Sequence, residues 1–285
     1  MSTPRSWLYV PGHRPDRVRK ALASAADAVV VDLEDAVPVA AKDEARRSTL
    51  ALLQDLPTDS PPVWVRVNSP TEPEGRADVE ALAGMPFDGL RVPRCEDPDV
   101  VHAVAEQTGQ ALMLLLETAR GLLRASELAT AHTQVRGLGL GEADLAADLM
   151  VRSDSGLEWA RGAVVAACRA AGLPSPIQSV WTDVADIDGL RASCQAGLAR
   201  GFFGRSVVHP SQIEVVHEVY TPSAREVADA RAVLATGAEA RARGEVAALD
   251  DQGRFVDPAV EARARVVLDR IPVERGVDSD RKGDS

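Results

Sequence analysis

Glu117 and Asp144 each stand where an apolar run ends. Glu117 closes Ala111-Leu-Met-Leu-Leu-Leu116, and Asp144 follows Val135-Arg-Gly-Leu-Gly-Leu-Gly141. A carboxylate just past a parallel strand projects from the carboxyl edge of the sheet, where barrel enzymes gather their catalytic groups. Two such carboxylates from neighbouring strands make a sparse, oxygen-only metal site. Magnesium suits it, because that ion keeps several waters and leaves positions for substrate oxygens. Arg66 lies inside the otherwise apolar Val63-Trp-Val-Arg-Val-Asn68. A guanidinium there needs a polar pocket, and its fork suits bidentate capture of a carboxylate. A structural ion pair with Glu34 or Asp35 is compatible with that role. Those two acids follow the run Ala28-Val-Val-Val31, in Val31-Asp-Leu-Glu-Asp-Ala36. Three acids around one strand end are costly to desolvate unless they meet cations or donors. They read either as a solvated loop with a helix cap, or with Glu34 holding metal-bound water or an arginine and Asp35 pairing locally. Arg94, in Arg91-Val-Pro-Arg94, adds positive potential at the same mouth. His209, in Val207-Val-His-Pro210, reads first as a packed, hydrogen-bonded residue and less readily as a base.

The elements that must position these groups follow a βα rhythm of short apolar runs separated by amphipathic segments. Eight candidate strands are Trp7–Val10, Ala28–Leu33, Val63–Val67, Gly89–Val92, Leu112–Leu116, Gly137–Leu140, Ile177–Trp181 and Phe203–Val208. Alanine-rich helices are expected between them, among them Asp78–Ala83, Asp97–Thr108, Leu157–Ala171 and Gly189–Arg200. The pattern predicts an α/β (β/α)8 TIM barrel with a small C-terminal helical extension. No GxGxxG follows the first strand, where Pro11-Gly12-His13 stands instead, which argues against dinucleotide binding. The barrel domain is assigned to residues 1–222, the extension, a lid or oligomer arm, to 223–272, and a disordered tail to 273–285. Within the extension, Ser223–Arg243 reads as a helix, Asp250-Asp-Gln-Gly253 as a turn, and Ala259–Arg270 as a closing helix. Asp257 fits that helix's N-cap and Pro258 its first turn.

A chain of 285 residues, 45% hydrophobic, is long enough to bury a large core. Its net charge of −11 argues against a nucleic-acid or anionic-membrane partner. Cys95, Cys168 and Cys194 show no CxxC spacing and suggest a reducing interior. No apolar h-region opens the chain, and no stretch approaches the ~18 apolar residues a membrane span needs. The expectation is a cytoplasmic protein.

Six stretches occur in the order seen in one family: Ser6-Trp-Leu-Tyr-Val-Pro-Gly12, Val30-Val-Asp-Leu-Glu-Asp-Ala-Val37, Trp64-Val-Arg-Val-Asn68, Leu116-Glu-Thr-Ala119, Gly141-Glu-Ala-Asp-Leu-Ala146 and Val208-His-Pro-Ser-Gln-Ile213. From about Ser6 to Leu268 the chain resembles the citrate lyase β-subunit-like family, which includes malyl-CoA and citramalyl-CoA lyases. The resemblance implies a barrel that cleaves or forms a carbon–carbon bond in a 3-hydroxyacyl-CoA, with Mg2+ as cofactor and an acyl-CoA and an α-keto acid as small-molecule partners. It implies Glu117 and Asp144 as metal ligands, Arg66 as the substrate-carboxylate clamp, and Glu34 and Asp35 as supporting acids. It implies Asp257 as an acid/base delivered to a neighbouring subunit; a plain helix cap explains Asp257 equally well. Arg14, Arg17 and Lys20 lie near the family's usual nucleotide end and are candidates for the CoA phosphates, or else charges on the first helix. A homo-oligomer, trimer or hexamer, is expected.

The chain departs from the family pattern at four places. Arg94 and Arg205 stand where relatives commonly carry Lys, Gln178 where Asp is frequent, and Gly141-Glu-Ala-Asp144 moves one acid by a position. Other readings stay open: a thioesterase acting on malyl-CoA or a similar substrate, a β subunit that works only within a larger lyase complex, and an aldolase using free aldehydes.

Overall fold

The computed structural model describes residues 3–272. The tail expected to be disordered, residues 273–285, lies outside the described residues. The chain's described residues fold as two compact units, one of Pro4–Val219 and one containing residues 220–272.

The first unit alternates strands and helices. β1 (Ser6–Pro11) leads to α1 (Pro15–Leu22), β2 (Ala28–Asp32) to α2 (Lys42–Gln54), β3 (Val63–Arg66) to α3 (Pro73–Leu82), and β4 (Gly89–Val92) to α4 (Pro98–Thr108). β5 (Leu112–Leu116) is followed by α5 (Ala119–Leu123) and α6 (Ala125–Ala129), and β6 (Val135–Leu140) by α7 (Glu142–Asp148) and α8 (Glu158–Ala170). Then come α9 (Ile187–Arg200), β7 (Arg205–Val207) and α10 (Ile213–Tyr220). The seven strands form one parallel, TIM-barrel-like sheet in the order β6-β5-β4-β3-β2-β1-β7. Because every strand runs the same way, all their carboxyl ends lie along one edge, and the segments carrying Glu34, Arg94, Glu117 and Asp144 leave from it.

Local chemistry explains the boundaries. The strands are nearly continuous apolar runs, as expected where both faces are covered; β2 and β5 are buried throughout. At α4, the Asp97 side chain accepts from the Asp99 N–H, Pro98 opens the first turn, and Gly109 closes the helix at φ 64°. Thr118 caps α5 immediately after Glu117 by accepting from the Gly121 N–H.

The sheet has seven strands where eight were expected. Ile177–Trp181 forms no named strand, but makes only two isolated bridges, Gly139 with Ile177 and Gln178 with Arg205. Pro174 and Pro176 precede it without N–H groups to donate. Side chains also take places a ladder would use: Ser179 Oγ donates to the Leu140 carbonyl, and Gln212 Nε2 to the Trp181 carbonyl.

Within the sheet, Trp7, Ala28, Val30, Trp64, Met113 and Ile177 form one buried apolar cluster. Trp7 and Trp64 meet edge-to-face at 5.4 Å. Two strand positions carry Gly where this layer is tight, and a Cβ at Gly137 would lie 2.7 Å from Met113 Sδ.

The second unit contains α11 (Ala224–Ala242), a hairpin of β8 (Ala248–Leu249) and β9 (Phe255–Val256), and α12 (Pro258–Asp269). Ser223 and Glu226 form a capping box at the start of α11. The expected turn at Asp250–Gly253 is the hairpin loop, where Asp250 accepts from the N–H groups of Gln252 and Arg254. α11 and α12 are tied by Glu261, buried at 1% exposure and paired with Arg241 and Arg265.

Candidate active site

A cavity of about 580 Å³ opens at the carboxyl edge of the sheet. It is lined by Asp32, Asp35, Arg66, Glu117 and Asp144, together with Tyr9, Arg91 and Ser206. Glu117 extends directly from β5 and is 4% exposed. Its Oε2 accepts from the Arg94 N–H at 3.0 Å. That amide is aimed by a left-handed backbone at Arg94, φ 50°, a conformation uncommon outside glycine. Burial and the charge of Asp144 push the Glu117 carboxyl up to about 7. Gly141, at the end of β6, makes room for it: a Cβ there would lie 2.5 Å from Glu117 Cγ and 2.6 Å from Oε1.

Asp144 sits exposed in the first turn of α7. The neighbouring acid, Glu142, also lines the cavity but is taken up by Arg161, whose Nε and Nη2 reach its carboxylate at 3.0 and 2.7 Å. The acid that departs from the family spacing is therefore held in a structural ion pair, and Asp144 is left facing Glu117. No group of three or more His, Cys, Asp or Glu residues suited to a metal occurs among the described residues. Two carboxylates, one buried and short of a counter-charge, fit a hard divalent cation that retains water, as magnesium does.

Arg66, at the end of β3, is the most heavily engaged side chain in the site. Its Nε and Nη2 make a two-pronged pair with Asp32, both at 2.7 Å, and its Nη1 donates to Asp35 at 3.2 Å. Glu34 Oε2 lies 2.9 Å from the same Nη1, in a geometry that makes no hydrogen bond. Burial pushes the Glu34 carboxyl up to about 8 against the opposing pull of Arg66, with the charges of Glu117, Asp35 and Asp32 adding to the rise. Asp32 is completely buried and also accepts from the N–H groups of Glu34 and Ala36. Lys42 fixes the same loop by donating to the carbonyls of Leu33 and Glu34 and to Asn68 Oδ1.

Asp32 and Arg91 were not singled out from sequence, and signals existed for both. Asp32 shares strand parity with Ala28 and Val30, so its side chain points to their face. Arg91 is a charge within an apolar strand, the same signal that drew attention to Arg66.

Each of the other expected site residues has partners of its own. The Arg94 side chain is exposed and approaches Glu72 at 3.8 Å, so only its backbone amide takes part in the site. Arg17 and Lys20 line a separate groove of about 350 Å³ with Pro11, His209 and Pro210; it shares Tyr9 and Val208 with the main cavity. Arg14 is paired with Asp16 and lines neither space. His209 Nδ1 caps the turn at Pro210–Gln212, bonding Ser211 Oγ at 2.8 Å. Arg205 is buried and donates to Gln178 Oε1 and Ser193 Oγ, so the amide at Gln178 serves a cation without neutralising it. In the second unit, the Asp257 carboxylate accepts from the Val260 N–H at 2.8 Å and caps α12.

Known proteins match this chain over most of its length. A (3S)-malyl-CoA thioesterase of Cereibacter sphaeroides is 36% identical over 93% of both chains. The citrate lyase subunit beta of Leuconostoc mesenteroides subsp. cremoris is 31% identical over 97% of this chain and 96% of its own. Among solved structures, the protein CitE of Mycobacterium tuberculosis, in complex with magnesium, acetoacetate and coenzyme A, superposes with a TM-score of 0.79 at 34% identity, covering 94% of this chain and 98% of that one. Residues 5–210 match the HpcH/HpaI aldolase/citrate lyase family, and with these relatives they show that the chain belongs to it.

Proposed function

We propose that this protein is a Mg2+-dependent carbon–carbon lyase. It would cleave a 3-hydroxyacyl-CoA into an α-keto acid and an acyl-CoA, or run the same reaction as a condensation. The observation that carries the reading is the pairing of buried Glu117 with Asp144 in one cavity, close enough that the charge of Asp144 helps to raise the Glu117 carboxyl. Membership of the aldolase/citrate lyase family supports it, as does a CitE relative solved with magnesium, acetoacetate and coenzyme A.

In the cleavage direction the 3-hydroxyl loses its proton as the C2–C3 bond breaks. The products are the keto acid and the enolate of the acyl-CoA thioester, which takes up a proton at carbon. Held by Glu117 and Asp144, magnesium supplies Lewis-acid stabilisation and a template for substrate oxygens. Arg66 orients the substrate carboxylate, and Asp32 fixes the guanidinium for that task. Glu34 and Asp35 are the supporting acids around it. Asp257 is the proposed acid for the enolate carbon, on the strength of the family resemblance. Arg17 and Lys20, in the groove beside Tyr9, are the better placed candidates for CoA phosphates, with Arg14 engaged by Asp16.

The two bridges at Ile177 and Gln178 support closure of the sheet as an eight-position barrel. The domain division near residue 222, a cytoplasmic location and assembly as a trimer or hexamer belong to the same reading. Among the described residues no helix is long and apolar enough to cross a membrane.

A thioesterase is the second reading, favoured by the malyl-CoA thioesterase relative. Product analysis separates the two. Incubation with malyl-, citramalyl- and citryl-CoA should yield a keto acid and a shortened acyl-CoA in equal amounts by mass spectrometry. Free CoA with no keto acid would replace the lyase with the thioesterase.

A further inference from the structure

The cavity holds a second arginine, Arg91, that forms no ion pair among the described residues. Arg91 is 1% exposed, on β4, and lines the cavity. Its Nη1 donates to Tyr9 Oη at 2.7 Å and Ser206 Oγ at 3.0 Å. The guanidinium carbon lies 4.9 Å from the Trp7 ring centre and 5.3 Å from that of Tyr9. Its buried Nε has no hydrogen-bond partner. Hydroxyls and rings solvate a cation without cancelling it. Among the described residues no carboxylate forms an ion pair with Arg91, whereas Arg66 faces Asp32, Glu34 and Asp35. An unpaired buried charge costs several kcal/mol by the usual order of magnitude. A ligand that brings the missing anion recovers that cost on binding.

Register places this charge. Arg91 pairs with Arg66 on one side and with Met113 on the other, so it stands beside the apolar layer that contains Met113. Glu117 lies four residues past Met113, just beyond the end of β5, about 13 Å of extended chain at ~3.3 Å per residue. A ligand held through a cation at Glu117 and Asp144 and by Arg91 farther back along the strands must offer oxygen donors at one end and an anionic group at the other. With one cation, two neutral hydroxyls and aromatic walls, the deeper position suits a singly charged planar carboxylate better than a phosphate dianion.

We propose that Arg91, held by Tyr9 and Ser206, is a specificity-determining residue that binds a second carboxylate of the substrate, so that the oxo acid is a diacid. The proposal rests on the lyase reading for its place in a reaction, but its test needs no turnover. Calorimetric binding of freshly dissolved oxaloacetate and of pyruvate, each with Mg2+, compares a diacid with its one-carboxylate counterpart. The wild type should favour the diacid by roughly 30-fold, the lower range for a buried charge-assisted pair. Arg91→Met should erase that preference by weakening the diacid alone, and Arg91→Lys should retain part of it. Ser206→Ala keeps the charge and should still weaken the diacid while leaving pyruvate unchanged. Ligand-free Arg91→Met should melt at or above the wild-type temperature, because an unpaired buried cation has gone. Equal wild-type affinities, or a diacid preference that survives in Arg91→Met, would overturn the proposal. So would a Ser206→Ala variant that binds both acids as the wild type does. Failure to cleave any hydroxyacyl-CoA would sink the lyase reading and leave this preference standing.

Discussion

At the scale of residues, the site is governed by charges that lack balance. Burial, with the charge of Asp144, pushes Glu117 up to about 7, and burial pushes Glu34 up to about 8. Both start from an ordinary value of 4.5, so between there and about 8 the folded, metal-free protein binds protons that the unfolded chain releases. Stability of the metal-free protein therefore falls as pH rises through that window. Mg2+ competes with the proton on Glu117, so its stabilising effect should be larger at about pH 8 than at about pH 6. Thermal melts at the two pH values with and without Mg2+ measure this, and Glu117→Gln should lose the metal-dependent part. A Mg2+ shift that shrinks with rising pH would contradict the account. The Arg66–Asp32 pair makes a separate prediction. Asp32→Ala should destabilise the fold by about 3–5 kcal/mol in urea unfolding, because the buried guanidinium loses its two-pronged partner. Arg66 was legible in the sequence as a lone charge in an apolar strand. Its partner was harder to find, because Glu34 and Asp35 stand next to Asp32 and only strand parity separates them. The Glu142–Arg161 pair was not legible at all, since its partners are 19 residues apart on different helices.

At the scale of elements, strand ends and the glycines beside them set the geometry. β5 and β6 were readable as apolar runs, and both carboxylates that leave them line one cavity. Ile177–Trp181 has strand-like composition yet forms only bridges, because prolines precede it and side chains compete for its backbone partners. Such competition depends on groups distant in sequence, which a local pattern does not contain. The short helices α5 and α7 are hard to read for another reason: five to seven residues give too little periodicity. Gly141 joins an element to the chemistry. Gly141→Ala puts a methyl group 2.5 Å from Glu117 Cγ, and overpacking of this kind costs about 1–3 kcal/mol. Mg2+ affinity, measured by titration of the metal-free protein, should fall by more than tenfold as Glu117 is displaced, a loss of about 1.4 kcal/mol or more. Affinity equal to the wild type would show that the close approach is relieved without moving the carboxylate.

At the scale of the whole molecule, an acidic chain with a net charge of −11 keeps its cations at particular places. Arg66 and Arg91 line the cavity, and Arg17 and Lys20 line the neighbouring groove. If that groove receives the phosphates of CoA, Arg17→Ala should weaken acyl-CoA binding and reduce its salt dependence while leaving keto-acid binding unchanged; calorimetry in low and high salt reads both. The central claim is that Glu117 and Asp144 hold the magnesium on which carbon–carbon cleavage depends. The measurement that tests it most directly is titration of metal-free protein with Mg2+ while keto-acid release from a hydroxyacyl-CoA is followed, in the wild type and in Glu117→Ala. The account predicts no release in EDTA, activity that saturates with one Mg2+ per chain, and none at any Mg2+ concentration in the variant. Undiminished release in EDTA, or a Glu117→Ala protein as active as the wild type, would contradict it.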